Sequence, residues 1–126
     1  MFSDQRALTG GPSEISLFCD GSYQMLIAVG TWAFGAPALR LEGAGLETGD
    51  GVEHFEVLGA LAGIETILEV DRTRRAIRVH SDSDPALLFL QHAAKGEPLP
   101  TRKTFTRIKP LYDRAVISPQ DVELYP

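Results

Sequence analysis

The spacing of the apolar residues changes at Gly49-Asp50-Gly51, and this change constrains the fold of the chain more than any other feature. Before it, apolar and polar residues alternate or form short apolar runs, which predicts strands over residues 15–19, 25–32 and 38–46. After it, apolar residues recur every three or four positions and predict a helix over residues 52–68. Short connections between the first three strands favour an antiparallel meander.

The second half of the chain predicts further elements in a different order. Residues 76–81 have the pattern of a strand, and residues 86–94 that of an apolar helix that begins after Pro85 and ends at Gly96. A further helix, interrupted at Pro110, is predicted over 105–112, and a short last strand over 122–125. The order β-β-β-α-β-α-α-β predicts an α/β fold, with a mixed five-stranded sheet of three antiparallel strands followed by parallel strands, and helices on its faces.

Two aspartates, Asp20 and Asp82, each follow a predicted strand. If the crossover helix makes those strands parallel neighbours, both carboxylates emerge at the same edge of the sheet, where α/β folds place ligands. A third carboxylate, Glu56, lies about one turn into the predicted helix. Three convergent carboxylates repel one another, so a cation is expected among them, and Mg²⁺ or Mn²⁺ suits oxygen ligands.

Each of these residues also has an ordinary structural interpretation. Asp20 precedes Gly-Ser, and an Asp in that position is usually a turn residue. Glu56 lies early in a helix, where a negative charge interacts favourably with the helix dipole. Asp82 has the spacing of a helix N-cap. Only their joint placement on strand end, helix and strand end indicates a site.

The three acidic segments resemble motifs of the ribonuclease H family. The segment Phe18-Cys19-Asp20-Gly21-Ser22 is similar to the opening motif of that family. Glu56 lies in a segment that resembles its first long helix, and Val79-His80-Ser81-Asp82-Ser83 resembles the motif that ends its fourth strand. The resemblance extends from about residue 14 to 125 and implies a ribonuclease H-like domain over 14–126. The residues before it, 1–13, are rich in polar residues and Gly and are expected to form a flexible lead-in.

The resemblance implies hydrolysis of the RNA strand of an RNA–DNA hybrid with two Mg²⁺ or Mn²⁺ ions. Asp20 would then bridge both ions, Glu56 would hold the first ion, and Asp82 would help to ligate and orient the site. Nucleic acid, either the hybrid or RNA, is the implied partner. The residues expected to contact it are Ser22, Arg102, Lys103, Arg107 and Lys109.

The sequence also departs from the family pattern. It ends at Pro126, directly after the last predicted strand, so the fold is expected to lack the final helix and the fourth carboxylate that the family carries there. This leaves two hypotheses. In the first, the chain is a nuclease, either with weak activity or dependent on a homodimer or another subunit. In the second, it is a non-catalytic ribonuclease H-like domain that binds nucleic acid or a protein partner.

Charge and cysteine content bound these hypotheses. The formal net charge is −5, but ten of the twelve Lys and Arg residues lie within 72–114, which indicates either a polyanion-binding face or a solvated basic helix. The single cysteine, Cys19, excludes a disulfide framework and favours a cytoplasmic protein. No apolar run reaches the length that a membrane helix needs. Cys19 and the aromatic residues Trp32 and Phe34 are expected to pack in or beside the core. The three histidines have no metal-ligand spacing.

Overall fold

Five strands form one mixed sheet in the computed structural model, which describes residues 14–49, 51–71, 76–99, 105, 109 and 111 and the backbone of 122–125. Two long helices accompany the sheet in this part of the chain. In chain order the elements are β1 (Glu14–Gln24), β2 (Val29–Ala36), β3 (Leu41–Thr48), α1 (Val52–Val70), β4 (Ala76–His80), α2 (Asp84–Lys95) and β5 (Val122–Tyr125).

The strand order across the sheet is β3-β2-β1-β4-β5. Strands β1, β2 and β3 pair in antiparallel fashion, whereas β4 is parallel to β1 and β5 is parallel to β4. Helix α1 connects the edge strand β3 to β4, on the other side of β1. The predicted mixed five-stranded sheet, with the order of its strands and of the first two helices, is therefore confirmed.

Alternate residues of the central strand β1 point to opposite faces of the sheet, as strand geometry requires. Ile15 and Leu17 are fully buried on the face that α1 covers, and a Cβ atom at Gly63 of that helix would lie 2.5 Å from the Leu17 side chain. On the other face Phe18 and Asp20 are exposed. A shift of β1 by one residue would turn Ile15 and Leu17 away from the helix, so the burial of these two side chains fixes the register of the strand.

The first strand was predicted too short. Pairing with β2 continues to Gln24 opposite Val29, so Asp20 lies within β1 and Gly21-Ser22 forms no turn. The hydroxyl groups of Ser22 and Thr31 lie 2.6 Å apart across the two strands and support this extension. The chain instead reverses at residues 25–28.

The bounds predicted for the next two strands were also displaced. The apolar character of Met25, Leu26 and Ile27 predicts a strand, but these residues form the exposed turn before β2, and Leu26 is 95% exposed. A 3-10 helix at Pro37–Leu39 then separates β2 from β3. Both strands consequently begin and end later in the chain than the apolar pattern alone indicates.

Helix α2 has caps at both ends. The Ser83 hydroxyl accepts a hydrogen bond from the backbone N–H of Ala86 at 3.2 Å, and Gly96 ends the helix in the left-handed conformation with φ of 69°.

Of the further helix predicted over 105–112, the described residues Phe105, Lys109 and Leu111 are helical. The interruption predicted at Pro110 lies outside the described residues. Within the described part of the chain, neither helix is long and apolar enough to cross a membrane.

Candidate metal centre

The carboxylates of Asp20, Glu56 and Asp82 lie together at the point where the parallel pairing of β1 with β4 ends. One oxygen atom from each falls within 4.8 Å of the others. Asp20 and Asp82 are exposed, whereas Glu56 is only 6% exposed. The convergence that the sequence predicts for these three residues is therefore observed.

The parallel pairing of β1 with β4 brings the two aspartates side by side. The last paired residues are Phe18 and His80, and each aspartate follows its paired residue by two positions. Asp20 remains within β1, since that strand continues along β2, whereas Asp82 lies in the turn after β4. The Ser83 N–H donates to the Ser81 hydroxyl at 3.1 Å and so constrains the turn around Asp82.

Two glycines allow α1 to approach the sheet closely enough to deliver Glu56. A Cβ atom at Gly21 would lie 2.5 Å from the backbone nitrogen of Glu56. One turn later in the helix, a Cβ atom at Gly59 would lie 2.8 Å from the Ala33 carbonyl oxygen and 3.1 Å from that of Asp20. Any other residue at these positions would push the helix away from the strand, and Glu56 with it.

The electrostatic state of Glu56 reflects its burial beside two other acids. Burial raises its pKa to about 7, and the negative charges of Asp20 and Asp82 add to this effect. The backbone N–H of Gly21 opposes the rise, and it also donates to Asp20 Oδ1 at 2.9 Å. One buried oxygen of Glu56, Oε2, has no hydrogen-bond partner among the described residues.

This donor set fits a hard divalent cation. All three groups are carboxylates, which Mg²⁺ and Mn²⁺ prefer, and a buried oxygen without a partner is otherwise costly to retain. Asp82 is not used as a helix cap, because Ser83 occupies that position. A cation would relieve the repulsion that raises the pKa of Glu56.

An aromatic pair lies beside the carboxylates. The Phe18 ring stacks on the imidazole of His80, with ring centroids 4.5 Å apart and planes inclined by 17°. His80 Nε2 lies 3.3 Å from the Ser16 hydroxyl, and burial together with Arg78 lowers the imidazole pKa. An open cleft of about 410 Å³ extends from this pair toward the metal centre, lined by Phe18, Cys19, His80, Ser81 and Asp82.

The other side chains singled out from the sequence have different surroundings. Phe34 is buried, and Trp32 is half-buried with its Nε1 donating to Glu47 at 3.0 Å, so both pack as expected. Cys19 is half-buried, and burial is the chief cause that raises its thiol pKa to about 12. No histidine joins the acidic cluster within the described ranges.

The residues expected to contact nucleic acid are only partly described. Ser22 is exposed on the same face of β1 as Asp20. Lys109 is an exposed helical residue, while Arg102, Lys103 and Arg107 lie outside the described residues. The exposed ring of Phe18 was not predicted from the sequence. Phe18 alternates with the buried Leu17 along β1, however, and this alternation places the two side chains on opposite faces of the sheet.

The fold of the chain is similar to that of a solved ribonuclease H domain. The N-terminal ribonuclease H domain of a Mycobacterium tuberculosis protein, solved as a fusion with maltose-binding protein, matches with a TM-score of 0.51 and 13% sequence identity, over 90% of this chain and 83% of that one. This likeness shows that the chain has a ribonuclease H-like fold.

Two other solved structures gave lower TM-scores. Ribonuclease H1 from the halophilic archaeon Halobacterium salinarum NRC-1 has a TM-score of 0.48 and 14% identity, over 90% of this chain and 86% of that one. The foamy viral protease-reverse transcriptase, solved in complex with dsDNA, has 0.49 and 12%, over 89% and 81%. No protein-family model and no curated protein sequence matched the chain.

Proposed function

We propose that this chain is a metal-dependent nuclease of the ribonuclease H kind, which hydrolyses the RNA strand of RNA–DNA hybrids. The observation that carries the proposal is the convergence of Asp20, Glu56 and Asp82, whose ligand oxygens lie within 4.8 Å of one another on a ribonuclease H-like sheet. The buried Glu56 oxygen without a partner supports the same proposal, since a bound cation would provide one.

The three carboxylates would hold a pair of Mg²⁺ or Mn²⁺ ions. Such ions, when bound, activate a water molecule and stabilise the leaving oxygen of a phosphodiester. The protein contributes rigid placement of the ligands. The Gly21 N–H orients the Asp20 carboxylate, the close contact of α1 with β1 fixes Glu56, and the Ser81–Ser83 hydrogen bond holds the turn that carries Asp82.

The proposed contacts with the nucleic acid come from one hydroxyl and a group of basic residues. Ser22 lies two positions beyond Asp20 on the same exposed face of β1, within reach of a strand bound at the metal centre. The basic residues are proposed to hold phosphates, and they are Arg102, Lys103, Arg107 and Lys109. Phosphate contacts release counterions, so binding of the hybrid should weaken steeply as salt increases.

Cleavage of a labelled RNA–DNA hybrid in Mn²⁺ or Mg²⁺ tests this function directly. We expect the wild-type protein to cut the RNA strand and Asp20→Asn to abolish cutting. Asp84→Asn is the matched control, because Asp84 is an exposed acid two positions after Asp82 that does not belong to the cluster. Equal cleavage by the wild type and by Asp20→Asn would refute the proposal. Binding of the hybrid without cleavage would instead favour the non-catalytic domain.

A further inference from the structure

The exposed ring of Phe18 leaves one of its faces available next to the metal centre. Its first face stacks on His80, whose Nε2 lies 3.3 Å from the buried Ser16 hydroxyl, so the ring is held in place. Phe18 is nevertheless 49% exposed, and its second face has no ring partner among the described residues. A fixed, half-exposed aromatic ring is a stacking surface for another flat ring.

Gly35 leaves the space beside Phe18 open. The two residues are partners across β1 and β2, so their Cβ positions lie on the same face of the sheet. A Cβ atom built at Gly35 would meet no atom within 4 Å. The strand backbone is therefore bare at the position where a neighbouring side chain would otherwise stand against the Phe18 ring.

A hollow of about 170 Å³ lies beside Phe18 and extends along the strands to Asp20. Its lining residues are Phe18, Cys19, Asp20, Ala33 and Phe34. Along an extended strand, Phe18 and Asp20 are separated by about 7 Å. A group stacked on Phe18 would thus lie about one nucleotide from a phosphate held at Asp20.

The chemistry of this hollow suits a flat and neutral ring. Apolar groups from Phe18 and Ala33 line it. On the neighbouring strand β3, the residue that pairs with Gly35 is the exposed Glu42. A carboxylate there would repel a phosphate. We propose that Phe18 and Gly35 form a slot for one unpaired nucleobase beside the cleavage site, so that the enzyme prefers substrates with an unpaired nucleotide next to the scissile phosphate.

This inference rests on the proposed nuclease function and narrows its substrate class. A base stacked on Phe18 cannot remain stacked within a continuous duplex. The slot therefore favours a single-stranded flank, a bulge or a junction over an uninterrupted hybrid. Stacking of a base on an aromatic side chain should contribute about a 5- to 150-fold increase in affinity, judged from alanine substitutions in single-strand-binding proteins.

The test is binding in EDTA, which separates the slot from cleavage. The probe is an RNA–DNA hybrid with one bulged 2-aminopurine, and the reference probe is the same hybrid fully paired. We expect the wild type to quench the bulged 2-aminopurine and to bind that probe more tightly. Phe18→Leu should lose the quenching and about tenfold or more of the affinity for the bulged probe, while Phe18→Trp should retain both.

Gly35→Leu provides an independent variant that fills the slot without removing a contact. It should reduce affinity for the bulged probe only, whereas Ala44→Leu, an exposed position one strand farther out than Ala33, should not. Circular dichroism establishes that each variant is folded. Equal affinity of the wild type for both probes, or quenching that persists in Phe18→Leu and Gly35→Leu, overturns the slot. Loss of cleavage in Asp20→Asn with no effect of these two variants would reject the slot alone.

Discussion

Gly59 of α1 lies directly over the backbone of Asp20 in β1, so close that a methyl group at position 59 would stand 3.1 Å from the Asp20 carbonyl oxygen. The same methyl group would lie 2.8 Å from the carbonyl oxygen of Ala33 in the adjacent strand. Neither oxygen belongs to a flexible side chain, so the helix would have to move. Since Glu56 lies one turn earlier on this helix, that movement would also displace a ligand of the proposed metal centre.

Substitution of Gly59 by alanine should therefore weaken both folding and metal binding. Overpacking of this kind costs about 1–3 kcal/mol, which exceeds the advantage of alanine over glycine in a helix. We expect a lower midpoint in urea denaturation and a weaker calorimetric affinity for Mn²⁺. Gly35→Ala is the control for stability, because open space surrounds that position. Wild-type Mn²⁺ affinity in Gly59→Ala would contradict the proposed role of this contact.

Protons should compete with the metal for Glu56. Burial first, and then the charges of Asp20 and Asp82, raise the pKa of Glu56 to about 7, and the metal binds the ionised form. We expect the affinity for Mn²⁺ to fall as the pH is lowered from about 8 to about 6, measured by isothermal titration calorimetry. Affinity that does not change over this range would show that Glu56 is not a ligand.

The stability of the metal-free protein should depend on the same proton. The folded-state pKa of about 7 lies above the ordinary value of 4.5, so protonated Glu56 favours the folded state. That contribution is complete below the ordinary value and is lost as the pH rises through about 7. We expect stability to decline over this interval in the wild type but not in Glu56→Gln. The control is Glu65→Gln, an exposed position on the same helix, which should retain the wild-type decline.

The turn between β1 and β2 contains a strained residue. Ala28 has φ of 52°, in the left-handed region, where a residue with a Cβ atom costs about 1–2 kcal/mol. Glycine removes this cost but increases the entropy of the unfolded chain, so Ala28→Gly should stabilise the protein by at most about 1 kcal/mol. Chemical denaturation provides the measurement. Ala38→Gly, an exposed position with negative φ, should reduce stability instead.

The thiol of Cys19 should react slowly in the folded protein. Burial is the main cause that raises its pKa to about 12, and the thiol donates to the His80 carbonyl oxygen at 3.6 Å. Thiolate is the reactive form, so modification by iodoacetamide near pH 8 should be far slower in the native state than in urea. Equal rates in the two conditions would show that the β1–β4 region opens readily.

The topology was predictable because it depends on periodicity, which the sequence displays directly. The switch of spacing at Gly49-Asp50-Gly51 separates the meander from α1, and the parallel placement of β1 and β4 then brings Asp20 near Asp82. Strand ends were less predictable. Gly21-Ser22 has the composition of a turn, but its conformation is decided by pairing with β2, which involves residues that are distant in the sequence.

Details of the site depend on contacts that no local pattern encodes. Asp82 and Ser83 both have the residue type of a helix cap, and only the structure shows that the hydroxyl of Ser83 accepts the N–H of Ala86. Similarly, Gly59 resembles a weak point in a helix until its approach to β1 is seen. The bare surface at Gly35 depends on what β2 faces, and a sequence read one element at a time does not contain that information.

The position of β1 in the middle of the sheet has a consequence for the order of folding. Its pairing with β2 is local, because Gln24 and Val29 flank a short turn, whereas its pairing with β4 joins Phe18 to His80 across α1. Local pairs close faster than distant ones, so the meander should form early and the three carboxylates should meet only in a late step. A cation that binds them would then act after the rate-limiting barrier. It would prolong the lifetime of the native state and leave the refolding rate almost unaltered.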